Sequence, residues 1–313
     1  MKMSKLIHLS VVCCIYSVLL TITAGCSSGG NRKVFSGEES LTSGLIHISV
    51  DESFKPIIDS QIKVFSSLFP KAKVIPHYKS EAECLKDLMN DSIRMVIVTR
   101  GLSEEEVNTL KDTLGFTPSW GKVASDAIAV IVNNKAKDSL FDMSDIRSLM
   151  EGTSGYKLNP VLDGKKATST IRFMIDSVLK GRPLAPNIAG ADSSVGVINY
   201  VASHEDAIGF VGVSWIGNPD DKQQLAFLSS VRVASLQSTN DKEKYIKPYQ
   251  ANIATKRYPM IRGLYYIVKE NFSGLGRGFS NFLQNEKGQL IFYRAYLVPS
   301  KMDFTLRNAE IKE

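Results

Sequence analysis

Cysteine is scarce in this chain, and where it stands removes whole classes of chemistry. Of four cysteines in 313 residues, Cys13 and Cys14 lie in an apolar N-terminal stretch and Cys26 follows it, so Cys84 is alone in the body. One thiol builds neither a disulfide framework nor a zinc site. In "EAECLKDLM" it falls on the apolar side of a helical pattern and reads as a small buried hydrophobe. Histidine is equally sparse: beyond His8 only His47, His77 and His204 remain, none with a carboxylate or nucleophile paired to it in sequence. There is no His-Glu-x-x-His, no Gly-x-Ser-x-Gly and no Gly-x-Gly-x-x-Gly after a strand. "GFTPSWGKV" comes nearest to a phosphate loop, but it has five residues between its glycines instead of four, and Val123 where a hydroxyl would bind magnesium. An enzyme such as a phosphatase lacks the carboxylate and histidine clusters a metal site needs, and no cofactor is expected. Runs of five like charges are also missing, as is a basic stripe interleaved with aromatics, so the net charge of +6 does not make a nucleic-acid surface.

What is present begins with an address. Lys2 and Lys5 precede an apolar run from Leu6 to Ile22, too short and wrongly flanked for a membrane span, and Ala24 and Gly25 lead to Cys26. Residues 1–25 are expected to be an export signal. Residues 26–44, "CSSGGNRKVFSGEESLTSG", are small, polar and without apolar periodicity, as a flexible tether would be. A signal ending in "TAGC" and opening into such a tether resembles a bacterial lipoprotein, with Cys26 acylated, for example by palmitate, as the new first residue; Thr23 departs from the Leu usual in that motif. The protein is then expected in the cell envelope, exported and touching membrane only through its lipid.

From residue 45 the hydrophobic period switches repeatedly. "LIHISV" alternates like a strand, and the next segment places Phe54, Ile57, Ile58, Ile62, Phe65 and Phe69 at helical spacing. "AKVIPHY", "EAECLKDLMND" and "RMVIVTR" continue as strand, helix and strand, which predicts a parallel α/β sheet. A helix follows from Ser103 to before Gly115, then the strand "DAIAVIVNN" and a short helix capped by Ser144 and stopped at Gly152. The spacing predicts one helix over "TSTIRFMIDSVLKG", another over "VGVINYVASH" and a strand over "AIGFVGV". A second strand cluster, "KPYQANIATKRYPMIRGLYYIVKE", precedes a final helix through "FSNFLQNEKGQLIFYRA". Two α/β lobes suit this length better than one sheet.

A recurring unit is a strand that runs into a hydroxyl-bearing turn and a helix start. Ser53 in "HISVDESFKP", Ser80 in "VIPHYKSEAE", Thr99 with Arg100 in "MVIVTRGLS", and Thr168, Ser169 and Thr170 in "ATSTIRF" all stand there. Ligands of open α/β sheets settle beyond the carboxyl ends of the strands, where helix N-termini offer unpaired N–H groups to oxyanions. Ser and Thr are also the favoured caps of any helix, so each turn alone has a purely structural explanation.

The order "ISVDESFKPI", "YKSEAECLKDLMND", "VTRGLS", "DAIAVIVN", "ATSTIRFMIDSVL", "INYVASHEDAIGFVGVSWI", "YPMIRGLYYIV", "GQLIFYRAYLVP" resembles the phosphate-binding proteins of bacterial phosphate ABC transporters over nearly all of residues 45 to 300. The resemblance implies a two-lobed, type II periplasmic-binding-protein-like α/β fold with the ligand cleft between lobes. Lobe I would take residues 45–127 and 240–313, and lobe II residues 128–239. It implies no catalysis: the protein would bind inorganic phosphate and deliver it to the permease of an ABC importer. Ser53-Phe54 match the family's first loop, Thr99-Arg100 keep the hydroxyl and arginine of the third strand's end, and Thr168-Ser169-Thr170 keep two of the three second-lobe residues, with Ser169 in place of Gly. Two departures stand out. The third strand lacks the family's acidic proton acceptor, which Asp51 or Glu52 would have to replace, and Lys165 and Lys166 stand where an arginine is usual. Lysine keeps the charge but not the planar fork. Alternatives are another small oxyanion, such as molybdate or sulfate, or a surface sensing or structural protein that keeps the fold without transport.

Overall fold

The computed structural model describes residues 39–164 and 168–301. The expected signal, Cys26, most of the tether, and Lys165 and Lys166 lie outside the described residues.

β1 (Gly44–Asp51) turns its alternating Ile46, Ile48 and Val50 inward and passes through the 3-10 turn Glu52–Phe54 into α1 (Lys55–Leu68). Pro56 sits in the first turn of α1, where a missing N–H leaves no hydrogen bond unmade. β2 (Ala72–Lys79), α2 (Glu81–Lys86) and β3 (Ile93–Val98) follow, with β2 and β3 parallel to β1 on its two sides. α3 (Glu104–Leu114) is capped by Ser103 and ends at Gly115, whose φ of 74° suits glycine.

The chain continues through β4 (Ser119–Asn133), β5 (Leu140–Phe141), α4 (Met143–Glu151), β6 (Asn159–Asp163), α5 (Ser169–Phe173), β7 (Ala189–Ala191), α6 (Ser194–Ser203) and β8 (Ala207–Gly212). Then come α7 (Lys222–Ser230), β9 (Val231–Val233), β10 (Ser235–Gln237), β11 (Tyr245–Ile246), α8 (Gln250–Ala254), β12 (Ile261–Val268), α9 (Leu275–Gln284), α10 (Glu286–Arg294) and β13 (Val298–Pro299).

The long β4 joins two lobes. Its first part pairs antiparallel with β12 and its second part with β8, within the strand order β2-β1-β3-β12-β4-β8-β6-β7. The change of partner falls at Ala127 and Ile128, and there Ile128 N–H also bonds the carbonyl of Met260 at 2.9 Å. Each lobe has its own apolar core. One gathers Ile48, Phe54, Phe65, Phe279 and Phe292; the other gathers Val130, Phe141, Val161, Phe210 and Tyr258. Cys84 is fully buried in a smaller cluster with Leu88, Val96 and Leu110.

The "AIGF" run has a packing cause. α6 lies so close over β8 that a Cβ on Gly209 would stand 2.7 Å from side-chain carbons of both Val197 and Val201. Only glycine lets helix and strand meet there without displacement.

Several local expectations need correction. The cap of α4 is Asp142, whose Oδ1 accepts from the N–H groups of Ser144 and Asp145; Ser144 is already inside the helix. The helix expected to run to Gly181 is α-helical only over α5 and widens into a π turn over Met174–Val178. The final helix breaks at Asn285, whose ψ of 164° is extended. Gly288 then packs α10 back on the carbonyl of Phe282, where a Cβ would lie 2.2 Å from the oxygen. The second strand cluster contains α8, and β6, whose "NPVLD" shows no clean alternation, is a strand not anticipated. The end of the expected tether is held to the body: Glu39 accepts from Arg94 Nη2 at 2.7 Å and from the N–H of Leu275 at 3.0 Å.

Candidate functional site

The end of β1, the end of β6, the start of α5 and the start of β12 converge between the lobes. Ser53, from the first lobe, is buried; its N–H donates to Asp51 Oδ1, and its Oγ lies 3.3 Å from Asp163 Oδ2 and 3.2 Å from Ser169 Oγ. From the second lobe, Thr170 Oγ1 donates to Asp163 Oδ2 at 3.1 Å and Thr168 Oγ1 donates to Asp163 Oδ1 at 3.0 Å. Thr168 is also the cap, accepting from Ile171 N–H, which leaves the hydroxyls of Ser169 and Thr170 out of capping. The capping role expected for that cluster thus belongs to Thr168. The five-residue α5 contributes hydroxyls rather than a long dipole.

Among the described residues, a buried positive charge comes from a residue that sequence reasoning did not select. Arg262, on β12, lies directly across the ladder from Asp126 on β4, and its Nε donates to Asp126 Oδ2 at 2.9 Å with both side chains buried. Nη1 donates to Ser169 Oγ at 2.9 Å and to Thr170 Oγ1 at 3.4 Å, while Nη2 is buried without a hydrogen-bond partner. The guanidinium carbon stands 5.0 Å from the centre of the Phe54 ring, so Phe54 forms the floor under the cation.

Acids crowd the same space. Asp51 is buried with Oδ2 unpartnered, and burial raises its pKa above the ordinary carboxylate range despite the Arg262 charge. Burial and the neighbouring Asp51 push Asp163 up to about 7, partly opposed by Arg262. Burial also raises Glu52, whose Oε2 accepts from Ser194 Oγ at 2.8 Å at the start of α6. Above these groups opens a cleft of about 310 Å³ lined by Asp51, Ser53, Lys79, Ser80, Asp163 and Thr168, among others. Among the described residues, no three His, Cys, Asp or Glu side chains are placed to hold a metal ion together.

The other residues picked from sequence have different employment. Ser80 lines the cleft but forms a capping box with Glu83, giving its hydroxyl to Glu83 Oε2 at 2.7 Å. Thr99 directs its N–H and hydroxyl to Glu81 Oε1, at 2.8 and 2.5 Å, and accepts from Arg172 Nη2. Arg172, from the second lobe, also bonds Glu81 through Nε at 2.5 Å, so Thr99 belongs to an interlobe clasp. Burial opposes ionisation of Glu81, but Arg172 and Thr99 outweigh it and hold the carboxyl below its ordinary range. Arg100 points its fork at Glu106, both contacts 2.7 Å, and does not join the cluster. A carboxylate six residues on is a nearer partner than the cleft. Arg262 and Asp163 had signals of their own: a lone arginine in the apolar run "YPMIRGLYYIV", and an Asp-Gly just before the Thr-Ser-Thr cluster.

The sequence profile of the PBP superfamily domain matches residues 36–287. No curated protein matches the chain in sequence. Among solved structures, a substrate-binding protein from Clostridium perfringens with bound phosphate aligns with a TM-score of 0.68 at 19% identity, covering 82% of this chain and 100% of that one. An ABC-type phosphate transport receptor from Vibrio cholerae aligns at 0.61 and 18% identity, covering 82% and 100%. The regulatory domain of CcmR from Synechocystis PCC6803, in complex with 2-PG, aligns at 0.51 and 12% identity, covering 77% and 96%.

Proposed function

The chain belongs to the PBP superfamily, and on that premise we propose that it is an exported, lipid-anchored binding protein that captures inorganic phosphate between its lobes and delivers it to the permease of an ABC importer. The lobes in this reading meet at the crossings Ala127–Ile128 and Met260–Ile261, so the second lobe runs to about residue 260 instead of 239.

One observation carries the proposal: a buried guanidinium donates through Nη1 to a cluster of hydroxyls contributed by both lobes, while its Nη2 has no hydrogen-bond partner. Such an arrangement suits a small tetrahedral oxyanion, since Arg supplies charge and directed donors and Ser and Thr each supply one more. Because donors come from both sides, the anion would draw the lobes together, aided by the clasps Glu52–Ser194 and Arg172–Glu81. The unpartnered Oδ2 of Asp51 supplies the acceptor that the third strand lacks, and meets the proton that distinguishes phosphate from sulfate. Phosphate bound in the Clostridium perfringens relative of the same fold supports this choice of anion.

Isothermal titration of residues 39–301 with the two anions tests it. Phosphate should bind at least about tenfold more tightly than sulfate, a difference of roughly 1.4 kcal/mol. Equal affinities would remove the selectivity, and no binding of either would remove the site. The anchor is tested separately: Cys26→Ala should release the full chain from the membrane fraction, and undiminished retention would refute acylation at that residue.

A further inference from the structure

We infer that Asp163 serves as the resident anion of this cage, and that an incoming oxyanion replaces its carboxylate as hydrogen-bond acceptor and is bound together with one proton that Asp163 takes up from solvent. This rests on the reading of the cleft as an oxyanion site.

Ser53, Thr168 and Thr170 each own one hydroxyl hydrogen, and all three hydroxyls lie within hydrogen-bond distance of Asp163: Thr168 on Oδ1 at 3.0 Å, and Ser53 and Thr170 on Oδ2 at 3.3 and 3.1 Å. A hydroxyl engaged in this way cannot donate to a ligand as well. An anion entering the ring must turn these hydrogens toward itself and leave the buried carboxylate without donors.

Among the described residues, Arg262 alone would then favour its charge, with no hydrogen bond to it. From the end of β1 it faces the carboxyl of Asp51 and from the 3-10 turn that follows that of Glu52; from β12 it faces Arg262, whose Nε is held by Asp126 of β4. Among the described residues no basic side chain forms an ion pair with Asp163; on the rim Lys79 is paired with Asp87 at 2.7 Å, and Glu83 and Asp192 line the same cleft. A second anion at hydrogen-bond distance in a water-poor site raises a carboxyl's pKa, as paired carboxylates do. Protonation is the lower-energy outcome: one oxygen of Asp163 gains a hydrogen from the buffer, and the new O–H donates to the anion.

The direction of the pH effect follows. Burial and the neighbouring acids hold Asp163 near 7, so above that pH it is ionised before an anion binds and protonated afterwards. Binding therefore takes up a proton, and affinity falls as pH rises, by up to about tenfold per pH unit. Well below 7 Asp163 is protonated before the anion arrives, and this uptake vanishes.

The test is calorimetry with inorganic phosphate at pH 8 in two phosphate-free buffers of different ionisation enthalpy, on the wild-type protein and on Asp163→Asn. Phosphate titrates in this range itself, so the difference between the two proteins is what reads Asp163. The wild type should take up about one proton more per bound anion than the variant, whose affinity should depend less steeply on pH. Equal proton counts would overturn the inference while leaving the anion site standing. Failure of the wild type to bind phosphate would overturn both. Should Asp163→Asn not fold, infrared difference spectra of the wild type decide: phosphate at pH 8 should bring up a protonated-carboxyl C=O band, and its absence would sink the proposal.

Discussion

Replacing Arg262 by Met should lower folding stability by about 3–5 kcal/mol and abolish phosphate binding, because it leaves the buried carboxyl of Asp126 without its ion-pair partner. Arg262 and Asp126 are opposite residues on β12 and β4, their ion pair is 2.9 Å long, and neither is appreciably exposed. The double variant Arg262→Met/Asp126→Leu should recover most of the lost stability, since an apolar pair of similar volume often serves a core as well as an ion pair does. It should not recover binding, because the buried cation and its free Nη2 are gone. Urea unfolding gives the first quantity and a thermal-shift titration with phosphate the second. A single-variant loss below about 1 kcal/mol would mean that Asp126 finds another partner or water.

Ser169→Ala/Thr170→Val should remove anion binding from a protein that remains folded. Each hydroxyl given to an anion is a charge-assisted bond of roughly 1.5–3 kcal/mol, so two together weaken binding by about a hundredfold to ten-thousandfold. The fold survives because Thr168, not these two, caps α5, and because both side chains keep their apolar bulk or a smaller one. Some stability, roughly 1–3 kcal/mol, goes with the acceptors that Arg262 Nη1 loses. Arg100→Ala is the control: with its fork committed to Glu106, its loss should leave phosphate affinity unaltered. Undiminished affinity in the double variant would return Ser169 and Thr170 to a packing role.

How far the site was legible depended on how local each cause is. Ser53 and the Thr168–Thr170 cluster could be found because a hydroxyl beside a helix start is written in a few consecutive residues. Arg100 misled for the same reason, since a motif does not show that Glu106 will fold back on it through the first turn of α3. Thr99 was correctly placed at a strand end, but its hydroxyl is claimed by Glu81 and, from the other lobe, by Arg172. Asp163 went unselected because the five residues of β6 carry no period to mark them as a strand.

By itself the sequence determined the alternation of strands and helices, the parallel start of the sheet, the burial of Cys84 and the hydroxyl-bearing turns, all set by periodicity and capping within short windows. Only the tertiary structure decided the cation and the acids of the cleft. Arg262 meets Asp126 through strand register, and Asp163 meets Ser53 through the approach of two lobes. Register and lobe approach are set by packing of whole cores, and no local window contains them.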